Sequence, residues 1–378
     1  MKFKTIIYLL LLFASAGCIE EYHAKGVEEL SNLLVVEGTI TEGITTIKLS
    51  RSVGLYDDAS NSQRVGNAIV SVESDAGKVY SAITNIVGIY DIHIDKLDPE
   101  TKYRLKVRIG DEEYESTYSK PILTPDIDKI FWTKDSNKGV ANISVTTRGT
   151  NDQSRYYNWS YSENWEIRAM LYSNFMYDEN GKIVLYDEVT GPYNLKYHCW
   201  NSNNSNQFIL GSADKLSENV ITEKKLVVTV PSDERFSVLY YIKVYQNMLS
   251  KEAYDYFTNL QKNIESTGSI FSPVPSEMKG NLFCTTNPDI PVIGYVDVSV
   301  VKTKEVYIYP NEGLYEPKAD YSCFSVAADD DRYEESSMPM YYYEPLDPTG
   351  NLYAYQRCFD CTTRGTKNKP SFWPNDHK

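Results

Sequence analysis

Hydrophobic and polar residues alternate with a period of two along most of this chain, and that period predicts strands rather than helices. Between residues 33 and 122 the alternation recurs in short runs: Leu34 to Val36, Thr45 to Leu49, Ala68 to Val72, Val79 to Ile83, Ile89 to Ile94 and Tyr103 to Val107. Turn formers such as Gly88 and the Gly110-Asp111 pair separate the runs, so the spacing predicts one β-sandwich over 33–122. The Pro121 to Pro125 stretch (PILTP) then reads as a stiff linker, because proline breaks sheet pairing. A larger β region follows over 126–378, with strands expected at Ile127 to Trp132, Asn142 to Thr147, Tyr156 to Met170, Gln207 to Leu210, Lys225 to Val230, Phe236 to Gln246, Asn281 to Thr285 and Val292 to Tyr309. Within one of them Val238, Tyr240, Ile242 and Val244 share a face. The period lengthens once. Ser250 is a fitting N-cap, Glu252 suits the first turn, and Ala253, Phe257, Leu260 and Ile264 form an apolar stripe, predicting an amphipathic helix at about 250–265. Such a helix covers a sheet edge or face. The predicted class is therefore all-β.

The first residues follow a different rule. Lys2 and Lys4 precede a short apolar run from Ile6 to Phe13, and Ser15-Ala16-Gly17 place small residues before Cys18. That is the layout of a secretory signal, and the apolar run falls well short of the ~20 residues that span a bilayer as a helix. Small residues immediately before a cysteine suggest a bacterial lipobox, with residues 1–17 removed and Cys18 acylated; ordinary secretion with a chance cysteine is the alternative. Ser15 stands where leucine is more usual. Several acyl chains give stable anchoring where one does not. Residues 18–32 then form a lipidated tether, and Glu20 and Glu21 read either as a solvated spacer or as a signal for export to the cell surface.

Composition narrows the partners. A formal charge of −14, which becomes more negative once Lys2 and Lys4 are removed, repels phosphate backbones and argues against nucleic acid. It also offers no attraction to anionic lipid, so the acyl chains on Cys18 must do the holding. Tyrosine is used 32 times against 12 phenylalanines, which suits sheets with a half-wet face. Besides Cys18 there are Cys199, Cys284, Cys323, Cys358 and Cys361, an odd number for an oxidising compartment. A small disulfide loop from Cys358 to Cys361 is the expectation, with Cys284 to Cys323 the longer-range candidate. A zinc half-site lacks a second CxxC or paired histidines, and a redox role lacks the strand–CxxC–helix setting.

No nucleophile elbow, paired-histidine zinc motif or phosphate-binding loop occurs, and no catalytic residue, cofactor or metal is assigned. The acidic run Asp329 to Asp331 with Glu334 and Glu335 lacks the alternating ligands of a calcium loop and reads as solvated. Two aromatic clusters are the binding or interface candidates. Trp159, Tyr161 and Trp165 share a face of a regular strand and belong either to a binding platform or to the sandwich core. Tyr341, Tyr342 and Tyr343, between Pro339 and Pro345, suit an irregular loop and an interface.

Two resemblances extend this reading. The Gly66 to Ile94 string, with Thr84 to Tyr90 in a T-x-x-x-G-x-Y pattern, resembles the carboxypeptidase-regulatory-like, immunoglobulin-type sandwich, which implies a spacer or docking module. Val35 to Gly38, the Tyr156-Tyr157 pair with Trp159, Gly280-Asn281-Leu282, Thr286-Asn287-Pro288, Pro291 to Tyr295 and the closing CFDCTTRGTKNKPSFW from Cys358 to Trp373 together resemble a Bacteroidota lipoprotein family, domain of unknown function 4249. This chain has Thr362 where that family often has arginine. The resemblance implies an outer-membrane lipoprotein facing the cell exterior, with Glu20 and Glu21 as the export signal. It further implies association with a TonB-dependent β-barrel and carries over no established enzymatic activity; the expectation is a non-enzymatic accessory subunit that captures or admits an unidentified nutrient ligand. A structural or adhesive envelope component, or a hydrolase with an unrecognised site, are the alternatives.

Overall fold

A computed structural model of the chain describes residues 32–375 apart from 54–62, 136, 151–154, 172–174, 178, 181–182, 186–195, 267–278, 317–322, 324–325, 328–339 and 343–351. Cys18, Glu20 and Glu21, the Asp329 to Asp331 run and Tyr343 lie outside the described residues.

The first sandwich packs two five-stranded sheets. One runs Val292–Gly294, Leu34–Glu37, Gly43–Arg51, Ile89–Ile94, Ile83–Ile86 in spatial order; the other runs Leu282–Cys284, Glu112–Ser116, Tyr103–Ile109, Ile69–Ser74, Val79–Ser81. Alternation is the reason these segments form strands. Tyr103, Leu105 and Val107 turn inward and are buried, while Arg104 between them turns outward to bridge Glu73 and Glu115. Tyr90 is buried with its hydroxyl satisfied, donating to the Val65 carbonyl at 2.8 Å and accepting from the Ala68 amide at 3.0 Å.

Two of those ten strands come from far along the chain. Leu282–Cys284 pairs antiparallel with Glu112–Ser116, and Val292–Gly294 pairs parallel with Leu34–Glu37. Asp297–Val298 adds a parallel ladder to Thr39–Ile40. Leu282, Cys284, Val292, Val296 and Val298 are thus part of the first core, not of a region that begins cleanly at 126. The single strand expected from Val292 to Tyr309 is broken into three, and only Lys302–Ile308 joins the second sandwich. A glycine pair makes the crossing possible: a Cβ on Gly280 would lie 1.8 Å from the Gly294 carbonyl oxygen, and one on Gly294, which sits at φ +142°, would lie 2.2 Å from the carbonyl oxygen of Val36. The proline-flanked linker is also bound in. Ile122 exchanges backbone hydrogen bonds with Val298 and Val300, and the buried Thr124 hydroxyl accepts from the Met248 amide at 3.0 Å.

The second sandwich faces a three-stranded sheet (Ile127–Asp135, Val140–Arg148, Val220–Thr229) against a five-stranded one, in which His198–Asn204, Tyr156–Arg168, Tyr240–Met248 and Lys302–Ile308 run in spatial order and Ile209–Ser212 also pairs with the long 156–168 strand. Ile143, Val145, Tyr157, Trp159, Ile242 and Val244 fill the space between. The 236–246 prediction shifts: Glu234–Phe236 is a 3-10 turn and the strand runs Tyr240–Met248. Lys251–Ser266 is the helix, and Ser250 caps it by accepting the Ala253 amide at 3.1 Å. Its apolar stripe is buried only at the start. Ala253 and Tyr256 are covered, with Phe257 against Phe208 and Tyr295, whereas Ile264 is exposed. Tyr341 is not in a loop, because Met340–Tyr342 is a strand pairing with Leu352–Ala354.

Both expected cysteine pairings are corrected. Cys361 bonds to Cys199 and Cys358 to Cys323, while Cys284 is a buried free thiol in the first core. The adjacent pair therefore staples two different partners instead of closing on itself. Asp360, between them and fully buried, explains why the turn holds: it accepts from Lys196 Nζ at 2.9 Å, Gln356 Nε2 at 3.1 Å and the Thr362 amide at 2.9 Å. Beyond the staple the tail lies on the outer face of the five-stranded sheet of the second sandwich. Trp373 is buried against Leu239 and Tyr241, and its indole donates to the buried Glu166 at 3.2 Å. Burial pushes the Asp360 carboxyl up, but its hydrogen bonds from Thr362, Lys196 and Gln356 outweigh that and hold it below the ordinary aspartate range. A carboxyl depressed in the folded state adds stability that is present above the unfolded value, about 3.9, and is lost as pH falls through the folded one. The melting temperature of Asp360→Asn should accordingly fall less steeply than that of the parent between about pH 5 and 2. Parallel slopes for the two proteins would contradict it.

Candidate binding cleft

The aromatic strand Tyr156–Arg168 turns one face to the core, carrying Tyr157, Trp159, Tyr161, Glu163 and Trp165 in register. The structure separates the three candidates on it. Trp159 is fully buried, stacked on Tyr157, and donates from Nε1 to Gln246 Oε1 at 2.7 Å. Gly211 makes room for it, since a Cβ there would stand 2.6 Å from the indole. Trp159 is core and offers nothing to a partner. Trp165 is half-buried beside Ile167 and the Cys199–Cys361 staple. Tyr161 alone among the three opens onto a cleft.

That cleft, of about 400 Å³, lies between the two sheets of the second sandwich where the Val220–Thr229 strand faces the 156–168 strand. Tyr161, Phe208, Gln207, Ser205, Lys224 and Arg235 are among the residues lining it. Ser205 is pinned by a double link to Tyr161, its amide donating to the Tyr161 carbonyl at 2.9 Å and its hydroxyl accepting the Tyr161 amide at 3.0 Å. Phe208 stacks on Phe257 of the helix, so the helix braces one wall. The opposite wall is irregular. Register shifts flank the Ser144–Lys225 and Val145–Lys224 pairs, and Glu223 sits at φ +53°, a left-handed conformation uncommon outside glycine. In that register Lys224 lies opposite the fully buried Val145 and shares its face, so its side chain enters the space between the sheets. Burial there pushes the Lys224 ammonium below the ordinary lysine value, with no compensating carboxylate among the described residues.

Beneath the cleft lies a polar cluster that the sequence reading missed. Glu163 is fully buried, and Arg235 Nη1 donates to both of its oxygens at 2.8 Å. Tyr240 donates its hydroxyl to Glu163 at 2.5 Å and Asn203 donates its amide nitrogen at 3.0 Å. The other side of the guanidinium holds Asp233, with Nη2 at 2.8 Å and Nε at 3.1 Å. Burial raises the Asp233 carboxyl, yet its bonds from Arg235 and Thr229 hold it below the ordinary range. Burial likewise lifts the Tyr240 phenol, helped by the Glu163 charge, so it stays protonated as a donor. The signal for this cluster was present: a glutamate in register with Tyr157, Trp159 and Tyr161 must find a cation. Among the described residues, no group of three or more histidine, cysteine or acidic side chains is arranged to hold a metal.

Fold and cleft together define an all-β protein of two joined sandwiches, stapled by two disulfides, with a recess between the sheets of the second. The chain belongs to the family described as Domain of unknown function (DUF4249), which matches residues 19–305. No curated protein matches it. Solved structures do, among them a segment of two fibronectin type-III domains from chicken tenascin, at 15% identity over 57% of this chain and 90% of that one, with a TM-score of 0.16.

Proposed function

We propose that this protein is an outer-membrane lipoprotein, held at the cell surface by an acylated Cys18, that serves as an accessory ligand-binding or docking subunit of a TonB-dependent transporter. The observation that carries the reading is a braced polar cleft, on a chain whose first residues fit the pattern of a lipoprotein leader ending at Cys18. Binding without turnover fits the chemistry of the cleft. The carboxylates of the cluster beneath it, Glu163 and Asp233, are both committed to Arg235 rather than free to act as an acid or base. In this reading Glu20 and Glu21 direct export, the first sandwich docks or spaces, and the second holds the ligand.

A structural or adhesive role has one observation in its favour. Ile83, Ile86 and Val87 are exposed on and beside an outermost strand of the first sandwich, where unpaired backbone groups and apolar side chains suit protein contact.

Mild-detergent purification of the C-terminally tagged protein from its native outer membrane distinguishes the two. A β-barrel of the TonB-dependent class should co-purify at a near-stoichiometric level by quantitative mass spectrometry, and external protease should cleave the protein on intact cells. Protection on intact cells, or a preparation without any such barrel, removes the accessory-subunit reading.

A further inference from the structure

The charge balance of the cleft points to the class of molecule it holds. Arg235 is neutralised by Glu163 and Asp233, but Lys224 has no ion-pair partner among the described residues. Lys224 is half-buried on the core-facing side of its strand, opposite Val145, in a chain whose overall charge is −14. A cation in that position loses hydration without gaining a counter-charge from the described residues. Besides aliphatic side chains such as Leu226 and Val228, the lining offers two aromatic rings, Tyr161 and Phe208, and the uncharged donors and acceptors of Ser205, Asn206 and Gln207. Ring faces suit a pyranose, and short polar side chains suit hydroxyl groups. A volume of about 400 Å³ lies in the range of small-ligand sites and matches one or two sugar units. A fatty acid would leave the polar lining unpaired. A nucleoside polyphosphate would bring several charges to a site with one uncommitted half-buried cation and the exposed Lys225.

We infer that the cleft binds a small acidic saccharide, with its carboxylate on Lys224 and a sugar ring against Tyr161. This rests on the ligand-binding reading of the cleft. Burial holds the Lys224 ammonium below its ordinary value, and a carboxylate beside it would offset that by favouring the charged form. Arg235 supplies the wall beneath rather than the counter-ion, because its donors are already directed at Glu163 and Asp233.

Isothermal titration of the full lipidated protein in detergent micelles tests this, with digalacturonate as the acidic probe and the matching neutral digalactoside as the control. Digalacturonate should bind, and the digalactoside at least tenfold more weakly. Lys224→Met should lower digalacturonate affinity at least tenfold while leaving the melting temperature unchanged or higher; Lys224→Arg, which keeps the charge, should retain most of it. Equal binding of the two sugars, binding unaffected by Lys224→Met in a folded variant, or no binding of digalacturonate overturns the inference. A co-purifying barrel without digalacturonate binding would leave the accessory-subunit reading in place and overturn this one. Digalacturonate binding by a protein that brings down no barrel would do the reverse.

Discussion

Arg235→Met is expected to destabilise the second sandwich by about 3–5 kcal/mol, the usual cost of removing one partner from a buried ion pair. Glu163 would remain fully buried with only Tyr240 and Asn203 as donors, and Asp233 would lose its guanidinium as well. Burial pushes the Asp233 carboxyl up and Arg235 holds it down, so without the guanidinium Asp233 should take up a proton more readily. A group whose folded value is raised contributes stability at low pH that is lost as pH rises, so the variant should recover part of its deficit on mild acidification. Urea unfolding followed by tryptophan fluorescence reads both effects, since Trp159 sits in the same core. Glu163→Gln combined with Arg235→Met should cost less than Arg235→Met alone, because no unpaired charge is then left inside. A deficit under about 1 kcal/mol for the single variant, within the range of exposed ion pairs, would show that water reaches the cluster.

The second large effect concerns the tail. Cys199 and Cys361 are separated by 162 positions, so their bond removes a great deal of freedom from the unfolded chain, and Cys199→Ser should cost about 2–5 kcal/mol. The loss should also be local. Residues 361–375 would remain attached by non-covalent contacts alone, among them the Trp200–Thr366 backbone pair, the Lys367 bond to the His198 carbonyl and the Trp373 seat on Glu166, and proteolysis should clip this stretch before the rest of the chain. Peptide mapping without reduction checks the pairing directly: fragments joining Cys199 to Cys361 and Cys323 to Cys358 are expected, with Cys284 alkylated only after unfolding. A fragment in which Cys358 and Cys361 are bonded to each other would refute the arrangement.

The closing CFDCTTRGTKNKPSFW string gains a physical meaning from this arrangement. Its first cysteine reaches Cys323, its second reaches Cys199, the aspartate between them is a buried acceptor, and its tryptophan packs on the outer face of the second sandwich's five-stranded sheet. None of these residues lines the cleft, so the most distinctive motif of the chain serves architecture. The residues that give the cleft its chemistry sit in stretches with no motif at all: Lys224 in an irregular strand and Arg235 in a 3-10 turn.

What the sequence determined by itself was everything that depends on near neighbours along the chain. Period-two alternation decided that these segments are strands and which side chains turn inward, and it placed Tyr240, Ile242 and Val244 on one buried face. Ser250 and the Ala253 stripe located the helix to within a residue at each end, because capping and helical periodicity act over one or two turns. Tertiary structure decided the rest, for a common reason. A strand carries the same alternation whichever sheet it joins, so nothing local could assign Leu282–Cys284 and Val292–Gly294 to the first sandwich. A cysteine carries no label of its partner, and Cys358 and Cys361 bond across 35 and 162 positions instead of the three between them. Trp159 and Tyr161 share a strand face, but only the facing sheet, present over one and open over the other, made one of them core and the other the wall of a cleft.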